Sequence, residues 1–148
     1  MNDLSPNPPS QHALALVWAG IAAALAGVVI WAAIQSEDPL SPYIHTDTMR
    51  HILAFGAIGL CASFMPSARL RVVALIAVLC FALTVEIIQF PIPDRSASWS
   101  DLFNSTIGSF SGFGLGAAAA TLLDLMRENL SARVRAERRP SKATLPKP

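Results

Sequence analysis

Residues 72–90 of this chain read VVALIAVLCFALTVEIIQF, an apolar run with one charged residue, Glu86, and one amide, Gln89. A run of this length predicts a membrane-spanning helix, because the hydrocarbon core of a bilayer takes about 20 helical residues. Pro91 and Pro93 follow and predict its end. Glu86 lies near that end, and an ionisable group within a membrane segment is costly enough to indicate a functional site.

Three further apolar segments accompany this run, and the four together predict an all-α membrane protein, a bundle of four transmembrane helices. The predicted helices are 13–34, 47–65, 72–90 and 101–126. Of all residues 53% are hydrophobic and 14% are charged, whereas an average soluble domain carries about 25% charged residues. A net charge of +1 provides no global field, so we expect no nucleic-acid partner.

The basic residues predict the orientation of the bundle and the limits of its domain. Seven of the eleven Lys and Arg residues follow the fourth helix. The positive-inside rule places that end in the cytoplasm, and four helices place the N-terminus there as well. The membrane domain, 13–126, is then flanked by a disordered arm, 1–12, and by a basic cytoplasmic tail, 127–148. We expect the tail to contact anionic lipid.

This topology brings polar residues from successive segments to the extracytoplasmic side of the membrane. They are Asp47, Arg50, His51, Glu86, Gln89, Arg95, Asp101 and Asn104. Within each of the last three helices, two of them lie three or four positions apart and therefore share one helix face. In a catalytic site His51, Glu86 and Asp101 are the expected acid/base groups. The others are expected to bind the ligand.

Structural roles are alternatives for several of these residues. Asp47, at a helix start, would complement the helix dipole. Asp101 would complete a capping box in which Ser98 is the N-cap. Glu86 would form an ion pair with Arg95 that serves only the fold.

Small residues in the fourth helix predict close packing. Gly108, Gly112 and Gly116 recur every four residues, and such stripes let helices approach closely. Asn104 precedes Gly108 by four residues and would join two helices by hydrogen bonds. The spacing leaves open whether the contact lies within one chain or in a homo-oligomer.

We expect no metal and no other cofactor at the polar site. A zinc ion held by His51, Glu86 and Asp101 is an alternative, although these residues form no tight ligand motif in the sequence. Cys61 and Cys80 stand singly in apolar segments and are expected to be small hydrophobes rather than disulfide partners. The sequence contains no nucleophile elbow and no phosphate-binding glycine loop.

The converging residues also match a known sequence pattern. The stretch Asp47-Thr-Met-Arg-His51-Ile-Leu-Ala-Phe55 resembles the Asp-x-x-x-His-x-x-x-Phe opening of VanZ-like membrane proteins. Later parts of the chain are similar to that family's Glu-x-x-Gln, Arg and Asp-x-x-Asn-x-x-x-Gly elements; they are Glu86-Ile-Ile-Gln89, Arg95 and Asp101-Leu-Phe-Asn104-Ser-Thr-Ile-Gly108. The resemblance covers residues 45–118. Thr48 departs from the Lys that the family often has there, and Arg50 would supply the charge instead or anchor at headgroup level.

The resemblance implies a small multi-pass protein of the bacterial cytoplasmic (inner) membrane. The name-giving member of the family is associated with resistance to teicoplanin, a lipid-bearing glycopeptide, rather than to vancomycin. The expected partner is therefore an anionic membrane lipid or lipid-linked envelope molecule, which the site would bind and, in a catalytic version, modify. The alternative is a non-catalytic scaffold or partner of an envelope biosynthesis complex.

Overall fold

The computed structural model describes residues 11–35, 46–92 and 97–137, and within those ranges all regular structure is helical. Four helices follow one another: α1 (Gln11–Ala33), α2 (Asp47–Ser63), α3 (Ala68–Gln89) and α4 (Trp99–Glu137). This confirms the predicted all-α class. The chain divides into two compact units, Met1–Ala117 and Ala118–Pro148. The first unit contains the first three helices and the beginning of α4.

Three of the described helices are long and apolar enough to cross a membrane, namely His12–Ala33, Ala68–Gln89 and Trp99–Ala136. The remaining helix, α2, has 17 residues and is about 25 Å long at 1.5 Å per residue. This is shorter than the hydrocarbon core of about 30 Å. Of the four predicted spans, the structure therefore supports three by length and composition.

Side-chain caps explain where α2 and α3 begin. Thr46 precedes α2, and its hydroxyl accepts a hydrogen bond from the Met49 amide at 3.4 Å. Ser67 precedes α3 and accepts from the Leu70 amide at 3.2 Å. Because Ser67 provides this cap, α3 begins at Ala68 rather than at the predicted residue 72.

The fourth helix is longer at both ends than predicted. It begins at Trp99 rather than at residue 101 and ends at Glu137 rather than at residue 126. Residues 127–137, in the second unit, include several Arg, Glu, Leu and Ala residues, which have high helix propensity. The first part of the predicted basic tail is therefore helical, and Arg135 complements the dipole of the last turn.

The core of the first unit consists of apolar side chains from α1, α2 and α3. Its buried members are Ala33, Phe55, Ile58, Ala62, Val78, Ala82 and Val85. Phe55 is fully buried and its ring packs against Phe81, with ring centroids 5.7 Å apart. Large apolar side chains such as Leu16, Val72 and Ile76 are exposed, as expected for helices whose outer surface contacts lipid.

In the first unit α2 and α4 approach until their backbones touch. A Cβ atom at Gly112 would collide with the backbone of Gly56, and a Cβ atom at Gly59 would collide with the backbone of Ser109. A Cβ atom at Gly108 would likewise collide with the backbone of Ile52, and a Cβ atom at Gly116 would collide with the side chain of Ser63. The glycine stripe therefore packs against a helix of its own chain, which is one of the two arrangements that the sequence allowed.

Candidate functional site

Three titratable side chains from three helices meet at one end of the first unit. They are His51 of α2, Glu86 of α3 and Asp101 of α4. One ligating atom of each lies within 4.8 Å of the others. We call these three residues the polar cluster. Their proximity follows from the topology, because α2 and α4 begin at the end of the unit where α3 finishes.

A buried serine holds the imidazole of His51 in place. His51 Nδ1 is hydrogen-bonded to Ser105 Oγ at 3.0 Å, and Ser105 is fully buried in α4. The ring also lies parallel to that of Phe55, with centroids 6.3 Å apart. Since Nδ1 is engaged with Ser105, Nε2 is the nitrogen that His51 can offer to a ligand.

The carboxylate of Glu86 is buried and only partly satisfied. The residue is 6% exposed, and its Oε2 accepts a hydrogen bond from the Ser98 amide at 3.0 Å. Its Oε1 is buried and has no hydrogen-bond partner within the described part of the chain. A buried polar atom of this kind is rare in folded proteins, which makes the surroundings of Oε1 a candidate position for a hydrogen-bonding or cationic partner.

The start of α4 differs from the predicted capping box. Ser98 acts as the cap, because its Oγ accepts from the Ser100 amide at 3.1 Å. In a capping box the Ser98 amide would donate to Asp101, but it donates to Glu86 instead. The interaction therefore connects α4 to α3, and Asp101 contributes its carboxylate to the polar cluster.

Arg50 is paired with the acidic residue one turn before it. Its Nη2 donates to Asp47 Oδ1 in a salt bridge. The Arg50 side chain is only 12% exposed, whereas that of Asp47 is 66% exposed. Asp47 is also the first residue of α2, so the predicted role at the helix dipole and the pairing with Arg50 occur together.

The two predicted amide ligands are both buried. Asn104 Nδ2 donates to Thr48 Oγ1 of α2 at 3.3 Å and to Ser100 Oγ at 3.5 Å. This bond joins α4 to α2, which is the packing role considered for Asn104. Gln89 is 6% exposed near the end of α3. Arg95, and with it the predicted pair with Glu86, lies outside the described residues.

A groove of about 190 Å³ opens between α1, α2 and α3 beside the cluster. Its polar lining consists of Asp47, Arg50, His51 and Gln89, and its apolar lining includes Leu25, Val28, Val29, Ala54, Phe55 and Val85. We call it the α1–α2–α3 groove. It combines a charged end with a wall of hydrocarbon side chains.

A second groove, of about 390 Å³, lies between α3 and the start of α4. Glu86 and Ser98 line it together with Leu83, Ile87, Phe90, Trp99 and Leu102. Trp99 is 87% exposed and Phe90 is 79% exposed. The buried carboxylate of the cluster is thus reached from a groove whose rim is aromatic.

Three residues have roles in this site that the sequence did not predict. Ser105 contacts His51, the Ser98 amide contacts Glu86, and Thr48 contacts Asn104. Ser105 carried a usable signal, because it lies four residues after Asp101 and therefore on the same helix face. The role of Ser98 depends on its backbone amide, which has no signature in the sequence.

Comparison with known proteins identifies the family. A sequence profile described as VanZ/LLP1 matches residues 9–120, which cover most of the chain and all members of the polar cluster. No curated protein and no solved structure matches significantly. With its long apolar helices, the protein is a membrane protein, and it belongs to the VanZ-like family.

Proposed function

We propose that this protein binds an anionic lipid or lipid-linked envelope molecule in the α1–α2–α3 groove. The observation that carries the proposal is the composition of that groove, which has apolar side chains along its wall and, at one end, Arg50 and His51 together with Asp47 and Gln89. An amphiphile with an acidic head and a hydrocarbon chain matches both parts. Burial of the chain would provide affinity, and the polar end would provide selectivity for the head.

Arg50 is the residue expected to contact the acidic head. A guanidinium binds phosphate or carboxylate through two parallel hydrogen bonds. Arg50 now pairs with Asp47, whose carboxylate is mostly exposed and thus remains well hydrated when Arg50 turns to another anion. The exchange would replace one anionic partner of Arg50 by another and leaves no buried charge unpaired.

The grooves are expected to open at the level of the lipid headgroups. Trp99 and Phe90 are strongly exposed near the polar cluster, and aromatic side chains, Trp above all, are enriched where a membrane meets water. We place this end on the outer side of the bacterial cytoplasmic membrane and both termini in the cytoplasm, on the strength of the basic C-terminal segment. In this topology α2 also crosses the membrane, which brings the number of spans to four.

A catalytic version of the proposal uses the polar cluster. In the metal-free protein His51, which lines the groove, would exchange protons with a bound head group as a general acid or base, with the nearby carboxylates as its partners. The ligand would be positioned by Arg50 and Gln89, which line the same groove as His51.

Direct lipid binding tests the groove. Native mass spectrometry of the detergent-purified chain with phosphatidylglycerol, and with phosphatidylcholine as the zwitterionic comparison, measures selectivity for the anionic head. Val28→Trp is expected to weaken binding at least tenfold, because it fills the groove. Val17→Trp is the matched control, since Val17 and Val28 are 55% and 56% exposed on the same helix and only Val28 lines the groove. Equal binding by both variants would refute the site.

Antibiotic susceptibility tests the envelope role. In a sensitive host the wild type is expected to protect against teicoplanin but not vancomycin, because only teicoplanin carries a lipid chain. His51→Ala, Glu86→Gln, Arg95→Ala and Asp101→Asn should lose this protection at matched membrane levels, and Asp124→Asn in the second unit should retain it. No protection by an inserted wild type would favour the scaffolding alternative.

A further inference from the structure

We propose that His51, Glu86 and Asp101 form a binding site for a divalent transition-metal ion such as zinc. The sequence predicted no metal here, because the three residues do not form a local ligand motif. They lie on three helices, however, and the fold brings one nitrogen and two carboxylate oxygens within 4.8 Å of one another. Imidazole nitrogen and carboxylate oxygen are the ligands that catalytic zinc sites use in combination.

Two features of the cluster support a cation site over a simple hydrogen-bonded network. The first is Glu86 Oε1, which is buried and has no hydrogen-bond partner within the described residues. The second is the close approach of two carboxylates, Glu86 and Asp101. A divalent ion would supply a partner for the unsatisfied oxygen and would neutralise both acidic groups.

The surroundings of the cluster resemble those of a metal ligand set. A histidine that binds a metal through one ring nitrogen usually forms a hydrogen bond through the other, which orients the ring. Ser105 supplies that bond to His51 Nδ1 and leaves Nε2 for the metal. The Ser98 amide orients Glu86 in the same way through Oε2.

The geometry requires only a small closure of the side chains. Zinc binds nitrogen and oxygen at about 2.0–2.2 Å in a tetrahedral arrangement, which puts neighbouring ligand atoms roughly 3.4 Å apart. The observed separations reach at most 4.8 Å, and rotation of the Asp101 and Glu86 side chains can remove the difference. One imidazole with two carboxylates favours zinc or a neighbouring transition metal over calcium or magnesium, which prefer oxygen ligands alone.

Three protein ligands leave at least one coordination position for an exogenous oxygen. A phosphate oxygen of an anionic lipid would fit there, and this link rests on the proposed function. The metal site itself does not depend on it. Zinc binding without selectivity for phosphatidylglycerol would uphold the metal site and contradict the proposed function. Selective binding of phosphatidylglycerol without zinc binding would uphold the proposed function and contradict the metal site.

Zinc titration of the full-length, tag-free protein in detergent tests the site. After removal of bound metal with a chelator, competition with a chromophoric zinc indicator is expected to show one equivalent bound. His51→Gln, Glu86→Gln and Asp101→Asn should each weaken binding at least a hundredfold. The matched controls are His12→Gln, Glu128→Gln and Asp124→Asn, all at exposed positions, and they should bind as the wild type does.

Two further measurements keep the test decisive. Thermal unfolding and gel filtration of the metal-free variants establish that each is folded, which the nearly isosteric changes at Glu86 and Asp101 favour. The cobalt-substituted protein should show the visible absorption of a cobalt ion bound by nitrogen and oxygen ligands, without the charge-transfer band that a thiolate ligand would add. Absence of stoichiometric binding, binding retained in folded cluster variants, or a thiolate band from Cys61 or Cys80 would each overturn the proposal.

Discussion

At the scale of single residues, Glu86 is the member of the polar cluster with the most unusual surroundings. Its carboxylate is 6% exposed, with one oxygen on the Ser98 amide and the other without a described partner. A residue retained for stability would be expected to have both oxygens satisfied. The second oxygen of Glu86 is therefore the feature on which the proposed metal site most depends.

Replacing Glu86 by Gln should leave the stability of the metal-free protein nearly unchanged. The Gln side chain keeps an oxygen for the Ser98 amide and removes a buried charge near Asp101, so the free energy of unfolding should change by no more than about 1 kcal/mol. Loss of a buried partner in a structural ion network would cost about 3–5 kcal/mol. Reversible unfolding in mixed detergent measures the difference, with Glu128→Gln as the exposed control. A loss in the larger range would support the packing interpretation.

Ser105 is expected to act as a positioning residue for His51. Ser105→Ala removes the hydrogen bond to Nδ1, so the imidazole loses its preferred orientation. Zinc affinity should fall by about 10- to 100-fold, the usual effect of losing such a supporting bond. Ser111→Ala changes an exposed serine of the same helix and should bind zinc as the wild type does. Equal affinities of the two variants would show that Ser105 does not position the ligand.

At the scale of helices, the contact between α2 and α4 holds the polar cluster together. His51 and Asp101 belong to these two helices, and their separation depends on how closely the backbones approach. Glycines on both sides make that approach possible, and Asn104 adds a hydrogen bond to Thr48. The stripe of small residues therefore serves the site through packing.

Gly112 and Gly114 provide a matched pair for testing this contact. Gly112→Ala places a methyl group against the backbone of Gly56, whereas the position of a Cβ at Gly114 is open. The first change should destabilise the protein by about 1–3 kcal/mol through overpacking. The second should stabilise it by up to about 1 kcal/mol, because alanine is the better helix former. Detergent unfolding of both variants measures this, and similar effects at the two positions would contradict the close contact.

At the scale of the whole molecule, the described site belongs entirely to the first unit. Residues 121–136 of the second unit are exposed along their length, and none of them contributes to the polar cluster or to the α1–α2–α3 groove. We therefore propose that the basic segment contacts anionic lipid and helps to orient the protein, with no part in the described site.

Truncation after Glu128 tests this division. The shortened protein is expected to bind phosphatidylglycerol in the α1–α2–α3 groove and zinc in the polar cluster as the full chain does, because every described residue of both sites precedes Ala118. The additional contact of the basic segment with anionic lipid should weaken, by roughly 1 kcal/mol for each basic residue removed from the membrane surface. Loss of zinc binding by an inserted, folded truncation would contradict the assignment.

Cysteine labelling from outside the cell tests the proposed orientation. In a Cys61→Ala, Cys80→Ser background, a membrane-impermeant thiol reagent should modify Ala97→Cys in intact cells. It should modify Arg69→Cys only after the membrane is opened. Both positions are exposed, one before α4 and the other in the first turn of α3. The opposite labelling pattern would place the polar cluster on the cytoplasmic side.

The helical class, the approximate position of each helix and the family could all be predicted from the sequence. Long apolar runs, prolines and capping residues act over a few positions, so they can be recognised without a fold. The pairs of polar residues at helix spacing were also visible for this reason. Errors occurred at helix ends where a local detail outweighed hydropathy. The third helix was predicted to begin at residue 72, after Arg69 and Arg71, whereas the Ser67 cap starts it at Ala68.

Only the tertiary structure decided which of the polar residues meet. The His51–Ser105 bond and the Ser98–Glu86 bond join different helices, and their partners are chosen by helix packing rather than by spacing in the chain. The same holds for the pairing of the glycine stripe with α2 of its own chain. Distances of a few ångströms between separate helices arise from how closely their backbones pack, and local sequence patterns carry no record of them.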